Sequence, residues 1–253
     1  MYKLEQLHHY ANKINRLPSH VPLTKEDLLT PDFLLYKQDD LEMYYSPHNE
    51  YINKNSKVIV LGITPGWTQM ELAYRQARND IQAGLPLHEI ARRSKQTARF
   101  AGSMRRNLIA MLDQIELNKA LALSSCTSLF DDQNCLLHTT SIIKYPAFYK
   151  GRNYSGHNPR LEKSALLSDF VGKTFHTEIN QLTNPFIIPL GKTVEDTLKL
   201  LISKGKLELQ QCLFGFPHPS GANGHRHKQL ERNLPSLKQQ VREFFSPDIT
   251  LNR

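Results

Sequence analysis

Cysteine is scarce in this chain of 253 residues: Cys126, Cys135 and Cys212 are scattered and form no CxxC pair. That excludes a disulfide framework and any four-cysteine metal or cluster site, and it reads as reduced, buried thiols in a cytoplasmic protein. No apolar run approaches the ~20 residues of a membrane-spanning helix, and no secretory leader is visible. Neither GxxxxGK[ST] nor GxGxxG occurs, so ATP-binding and dinucleotide-binding readings lose their usual support. Tryptophan occurs once, as Trp67. Repeats and low-complexity linkers are absent, which makes one domain the expectation.

What is present is positive charge. Thirty-two Lys and Arg against 24 Asp and Glu leave a formal charge of +8. Such a surface favours a polyanionic partner, nucleic acid before membrane, because no lipid-anchoring amphipathic segment accompanies it. A 40% hydrophobic content suffices for one α/β domain with a sizeable core. Residues 1–55 read as an N-terminal helical extension, with one helix over 4–16 and another starting at Thr24-Lys25-Glu26-Asp27. Over 56–245 short apolar runs at 58–61, 136–143, 186–190 and 212–216 alternate with helical stretches at 69–82, 105–115, 161–182, 194–204 and 228–245. Pro235 is expected to kink or split the last helix, and 246–253 form a tail. Strands separated by crossover-length helices predict a three-layer α/β/α fold around a central four-stranded parallel sheet.

Two tight turns follow strands of this pattern, at the strand ends where open α/β sheets bind ligands. The first is Gly62-Ile63-Thr64-Pro65-Gly66-Trp67. Its glycines permit close backbone approach, Pro65 stiffens it, and its amides with the helix start that follows can receive an anion. Taken alone it reads equally as an ordinary strand-to-helix turn. The second turn is Pro217-His218-Pro219-Ser220-Gly221-Ala222-Asn223-Gly224-His225-Arg226. Flanking prolines restrict His218, and a neutral imidazole N–H held in this way can stabilise an anion forming on a leaving group. The small and basic residues after it suit contact with a phosphate backbone or insertion between bases. Cys212, His218, His225 and His227 offer a metal site as the less favoured alternative, since structural zinc sites show tighter paired spacing.

Together the two turns resemble the active-site motifs of the uracil-DNA glycosylase superfamily. Gly62, Pro65 and Gly66 match a first motif of the form G-x-x-P-G. His218, Pro219 and Ser220 match a second of the form H-P-S. The run Phe186-Ile187-Ile188-Pro189-Leu190-Gly191-Lys192 is similar to the superfamily's strand ending in Leu-Gly-Lys. Tyr45-Ser46-Pro47 and Tyr51 are similar to the single-strand-selective branch. The resemblance implies base flipping and hydrolysis of the N-glycosidic bond, without cofactor or metal. It makes His218 the anion stabiliser and places Thr64 where many members hold Asp, Glu or Asn, a weaker group for positioning water. It implies a base pocket from Gly62, Ile63, Pro65, Gly66, Trp67 and Ser141. Ser220 would hold a phosphate, and Asn223, His225 or Arg226 would fill the gap in the stack. Serine at 141 cannot read a pyrimidine edge as an amide does, so a modified pyrimidine joins uracil as the expected base.

Arg92, Arg93, Lys95, Arg99, Arg105 and Arg106 form a basic stretch. If helical, Arg92, Lys95, Arg99 and Arg106 share a face that suits phosphate, unless Gly102 breaks it. Aromatic and cationic residues interleave from Tyr145 to Arg160, among them Lys150 and Arg152, as a strand-binding loop does. The expectation is a monofunctional DNA glycosylase acting on single- or double-stranded DNA, with no membrane and no obligatory protein partner. Bulky modified cytosines of phage DNA are the sharper version, which would make the protein a defence factor. A catalytically weak DNA-binding module with the same fold is the alternative, and a small nucleotide hydrolase a third.

Overall fold

The computed structural model describes residues 5–19, 22–100, 102–161, 164, 167 and 170–246. The chain forms two compact units, each assembled from three separate segments.

The first unit comprises Met1–Ile52, Ile63–Ala101 and Thr140–Asn180. Helix α1 (Glu5–Asn15) buries Leu7, Tyr10 and Ile14, an i, i+3, i+7 stripe. Helix α2 (Lys25–Leu28) starts on a capping box in which the Thr24 hydroxyl accepts from Asp27 N and the Asp27 carboxylate accepts from Thr24 N. The 1–55 segment is only partly helical. Strands β1 (Leu34–Gln38) and β2 (Leu41–Tyr44) form an antiparallel hairpin within it. Two further strands complete this sheet in the order β1–β2–β5–β6, namely β5 (Ala147–Tyr149) and β6 (Arg152–Asn153). The β5–β6 turn, Lys150-Gly151, has positive φ at both residues (50° and 69°), as a two-residue hairpin turn of right-handed strands requires. Helices α3 (Trp67–Gln82) and α4 (Leu87–Ala98) pack beside it. The helix expected over 161–182 lies partly outside the described residues; within them, a wide turn at Val171–Phe175 leads into an α-helical turn at His176–Ile179.

The second unit comprises Asn53–Gly62, Gly102–Thr139 and Gln181–Arg253. Strand β3 (Val58–Gly62) pairs in parallel with β7 (Phe186–Pro189), from Val58 opposite Phe186 to Leu61 opposite Pro189. Strand β4 (Leu137–Ser141) lies on the other side of β3. Val58, Ile59, Val60 and Leu61 are all fully buried, the continuous apolar run of a strand covered on both faces. The helices of this unit are α5 (Gly102–Gln114), α6 (Leu117–Ala120), a helix at Lys192–Ser203 and a long one at Arg226–Phe245 that continues through Pro235.

The expected four-stranded parallel sheet has three strands, β4–β3–β7. The 212–216 run touches it through one bridge, Cys212 to Ile187, with Leu213 N donating to Ile187 O at 2.9 Å. The ladder stops because side chains take the next amides: Phe214 N donates to Gln240 Oε1 and Gly215 N to Glu195 Oε2. Gly215 sits at φ 92°, which turns the chain out of the strand direction.

Candidate active site

In the first unit the turn after β3 is held by side chains on three sides. The Thr64 hydroxyl donates to Tyr145 O at 2.9 Å and accepts from Ala147 N at 3.0 Å. The backbone therefore uses its one proton and one of its two lone pairs. Ile143 N donates to Ile63 O at 2.9 Å, joining the chain after β4 to the same turn. The first amides of α3, which have no partner inside the helix, are met from outside and from within. Trp67 N donates to Asn153 Oδ1 at 3.0 Å, and Gly66 N to Gln69 Oε1 at 3.2 Å. A Cβ on Gly66 would stand 3.3 Å from Asn153 Nδ2, so glycine is what lets β6 approach. Trp67 is half-buried, and Ser141 is buried at the end of β4.

Replacing Thr64 by alanine removes both ties and leaves the N–H of fully buried Ala147 without its acceptor. We expect a loss of about 1–3 kcal/mol in urea unfolding. Thr64→Ser, which keeps the hydroxyl, should recover most of it.

In the second unit the His218 turn is built as a rigid cradle. Ser220 N donates to His218 Nδ1 at 3.2 Å, which fixes that nitrogen as acceptor and leaves the proton on Nε2. Burial pushes the imidazole pKa below its ordinary value of 6.5, so the ring is neutral at pH 7. Asn107 on α5 donates from Nδ2 to Pro219 O at 2.9 Å. Asn223 donates to His218 O at 3.2 Å and to Gln229 Oε1 at 3.0 Å, while its own Oδ1 accepts from His225 N. Asn223 is thus fully engaged in shaping the loop. The Ser220 hydroxyl accepts from Ala222 N at 3.2 Å. Gly221, Ala222 and His225 are exposed, and Arg226 is half-buried. Behind the imidazole, Gly191 precedes the Lys192–Ser203 helix with φ 85° and ψ 170°; a Cβ there would lie 3.2 Å from His218 Cβ.

The basic surfaces differ from expectation. Gly102, at φ 61°, does break the helix, since α4 ends at Ala98 and α5 begins at Gly102. Arg92 pairs with Glu89 and Arg93 with Asp80. Lys95 and Arg99 are buried at 6% exposure each, so Arg99 does not stand on an exposed phosphate-binding face. Its place in α4 turns it toward the interior of the first unit. Arg106 is exposed on α5. In the 145–160 loop Tyr145, Phe148 and Tyr154 are buried and serve packing, while Lys150 and Arg152 are exposed at the β5–β6 tip. Cys126 and Cys212 are buried thiols, whereas Cys135 is exposed. Among the described residues no group of three or more His, Cys, Asp or Glu is arranged to hold a metal, and no helix is long and apolar enough to cross a membrane.

Three positioning residues escaped the sequence: Asn107, Asn153 and Gly191. Gly191 stood in a recognised Leu-Gly-Lys run, but its contact with His218 is invisible without coordinates. Asn153 followed a glycine in a hairpin whose strands were too short to register as a period.

A family model described as the uracil DNA glycosylase superfamily matches residues 50–245. A protein of Bacillus subtilis (strain 168) named "Uncharacterized protein YoxB" is 45% identical over 239 residues, 94% of this chain and 93% of the relative. The crystal structure of WT Pedobacter heparinus SMUG2 aligns at a TM-score of 0.45 and 12% identity, over 91% of this chain and 97% of that one.

Proposed function

Because the chain belongs to the uracil DNA glycosylase superfamily, we propose that it is a monofunctional DNA glycosylase that excises uracil or a modified pyrimidine and leaves an abasic site. The observation that carries this reading is His218: a buried, neutral imidazole whose Nδ1 is occupied and whose Nε2–H is the donor. As the C1′–N bond breaks, its electron pair passes to the base, and negative charge spreads to the ring oxygens. A fixed N–H donor stabilises that charge without first having to reorganise. Water supplies the oxygen that bonds to C1′. Thr64, with one lone pair beyond its two backbone ties, can accept one hydrogen bond from that water and cannot act as a general base.

Ile63, Pro65, Gly66 and Trp67 are the proposed pocket wall, with Gly62 and Ser141 at the ends of their strands. Ser220, His225 and Arg226 are the proposed DNA contacts of the second unit, with Arg106; Lys150 and Arg152 are those of the first. With Asn223 engaged in the loop, exposed His225 is the better candidate to fill the stack. The catalytically weak DNA-binding module remains the second reading, favoured by a threonine hydroxyl already tied to backbone where a free carboxylate would serve hydrolysis better. Bulky modified bases of phage DNA belong to the same test. It is abasic-site formation on single- and double-stranded oligonucleotides carrying uracil, mismatched thymine, hydroxymethyluracil, hydroxymethylcytosine or glucosylated hydroxymethylcytosine. Release of one base supports the enzyme and names its substrate. Salt-dependent binding with no release anywhere favours the module.

A further inference from the structure

The first unit contains a buried polar region that the reaction above does not use. It is built by the segment 45–50, by α4 and by the residues directly after β4. Tyr45 and Ser94 are fully buried and Asn49 nearly so. The Tyr45 hydroxyl, Asn49 Nδ2, Glu50 Oε1 and the Ser94 hydroxyl have no hydrogen-bond partner among the described residues. Each such buried orphan costs about 1–3 kcal/mol unless something fills the space beside it. Four in one region therefore point to an occupant.

Charge identifies the kind of occupant. Lys95 lies within electrostatic reach of Lys144, Arg99 and Glu178, and Glu50 within reach of Lys144 and Glu178. Three cations thus meet two carboxyls. Lys144 pairs with Glu178 at 3.6 Å, which leaves a positive excess in a region where charge is expensive. Burial also raises the Glu50 carboxyl to about 7 and depresses Lys95 to about 8, so near neutral pH Glu50 offsets the excess only in part. The His48 ring, with Nδ1 on the Ser46 hydroxyl at 2.8 Å, is kept neutral by burial. Orphan amide and hydroxyl donors beside surplus positive charge suit an anion.

Position relates the region to the first turn. Lys144 and Tyr145 follow Ile143, whose amide donates to Ile63 O, and Tyr145 O accepts from the Thr64 hydroxyl. The Tyr145 ring is 6.3 Å from that of Tyr45. Lys144, 18% exposed, marks an edge open to solvent.

We propose that this region is a pocket for a small anionic group of carboxylate size, and that it reads an acidic substituent on the excised base. The second half rests on the glycosylase reading; the first does not. The test compares excision of 5-carboxyuracil, 5-hydroxymethyluracil and uracil from oligonucleotides, together with thermal unfolding of the full chain in free 5-carboxyuracil, free uracil or acetate. The variants are Tyr45→Phe and Ser94→Ala, each deleting one orphan hydroxyl; with nothing to bind, such a deletion is neutral or stabilising. The expected result is kcat/KM for 5-carboxyuracil about tenfold or more above that for uracil, a ratio that falls about tenfold in either variant at unchanged Tm. A wild-type ratio near one, or a ratio that neither variant moves, overturns the base-reading half. Excision of no base at all rejects the glycosylase reading and with it that half. The unfolding arm decides the pocket in every case. Stabilisation by acetate or 5-carboxyuracil but not uracil, lost in Tyr45→Phe, upholds an anion site, and no such stabilisation overturns it.

Discussion

Replacing His218 by alanine is expected to lower the rate of base release by about 10²–10³-fold, the usual cost of removing one fixed donor to a developing anion. DNA affinity should change little, because the side chain is mostly covered and its loop is held by Asn107 and Asn223 through Pro219 O and His218 O. The effect belongs to kcat, which single-turnover kinetics reads directly. The same ring makes a pH prediction. Its folded pKa lies below 6.5, so the unfolded chain takes up its proton first as pH falls. The stability contributed by burying the neutral ring is fully present above 6.5 and is lost as pH falls through and below that value. Wild type should therefore lose more stability between pH 7 and pH 5.5 than His218→Ala does. Other titrating groups, including buried His48 and Glu50, are common to both proteins and cancel in that difference. Equal losses would show that His218 is not held neutral.

Gly191→Ala is expected to have the next largest effect, by a different route. At φ 85° and ψ 170° only glycine is at ease, and any other residue there costs about 1–3 kcal/mol. The new methyl would also sit 3.2 Å from His218 Cβ and 3.6 Å from Cδ2, so the imidazole must move. Displacing a catalytic group by a fraction of an ångström to an ångström lowers kcat by about 10–10²-fold. Gly205→Ala is the control. It too has a positive φ, 66°, but nothing stands within 4 Å of the added Cβ. That variant should lose stability and keep its kcat. If both variants lose kcat equally at permissive temperature, the Gly191 contact does not position His218.

Much of the α/β pattern was legible in advance, for a physical reason. Buried parallel strands are continuous apolar runs, and 58–61 and 186–190 became β3 and β7 almost residue for residue. The helices over 69–82, 105–115, 194–204 and 228–245 each appeared within a few residues of the expected bounds. The fourth run failed because strand formation is decided by who takes the amides, and Gln240 and Glu195 took those of Phe214 and Gly215 from other elements. The antiparallel sheet was missed because its strands have two to five residues each, too few to establish an alternation, and because β2 pairs with β5 across about a hundred residues of chain.

The two turns carried the chemistry in the open. Their glycines and prolines restrict the backbone wherever they occur, so Gly62 to Gly66 and Pro217 to Ser220 spoke for a site before any fold was known. Charge of individual side chains was not legible in this way. Arg92, Lys95, Arg99 and Arg106 are equivalent cations in a sequence, yet one is paired with Glu89, two are buried and one is exposed. Composition and local backbone chemistry thus determined the class of fold, the basic character and the two motif turns, because those depend on neighbours in sequence. The tautomer of His218, the spent hydroxyl of Thr64, the clearance at Gly191 and the buried charges around Lys95 were decided by tertiary structure alone. Each depends on a partner distant in sequence, and proximity of that kind exists only once the chain has folded.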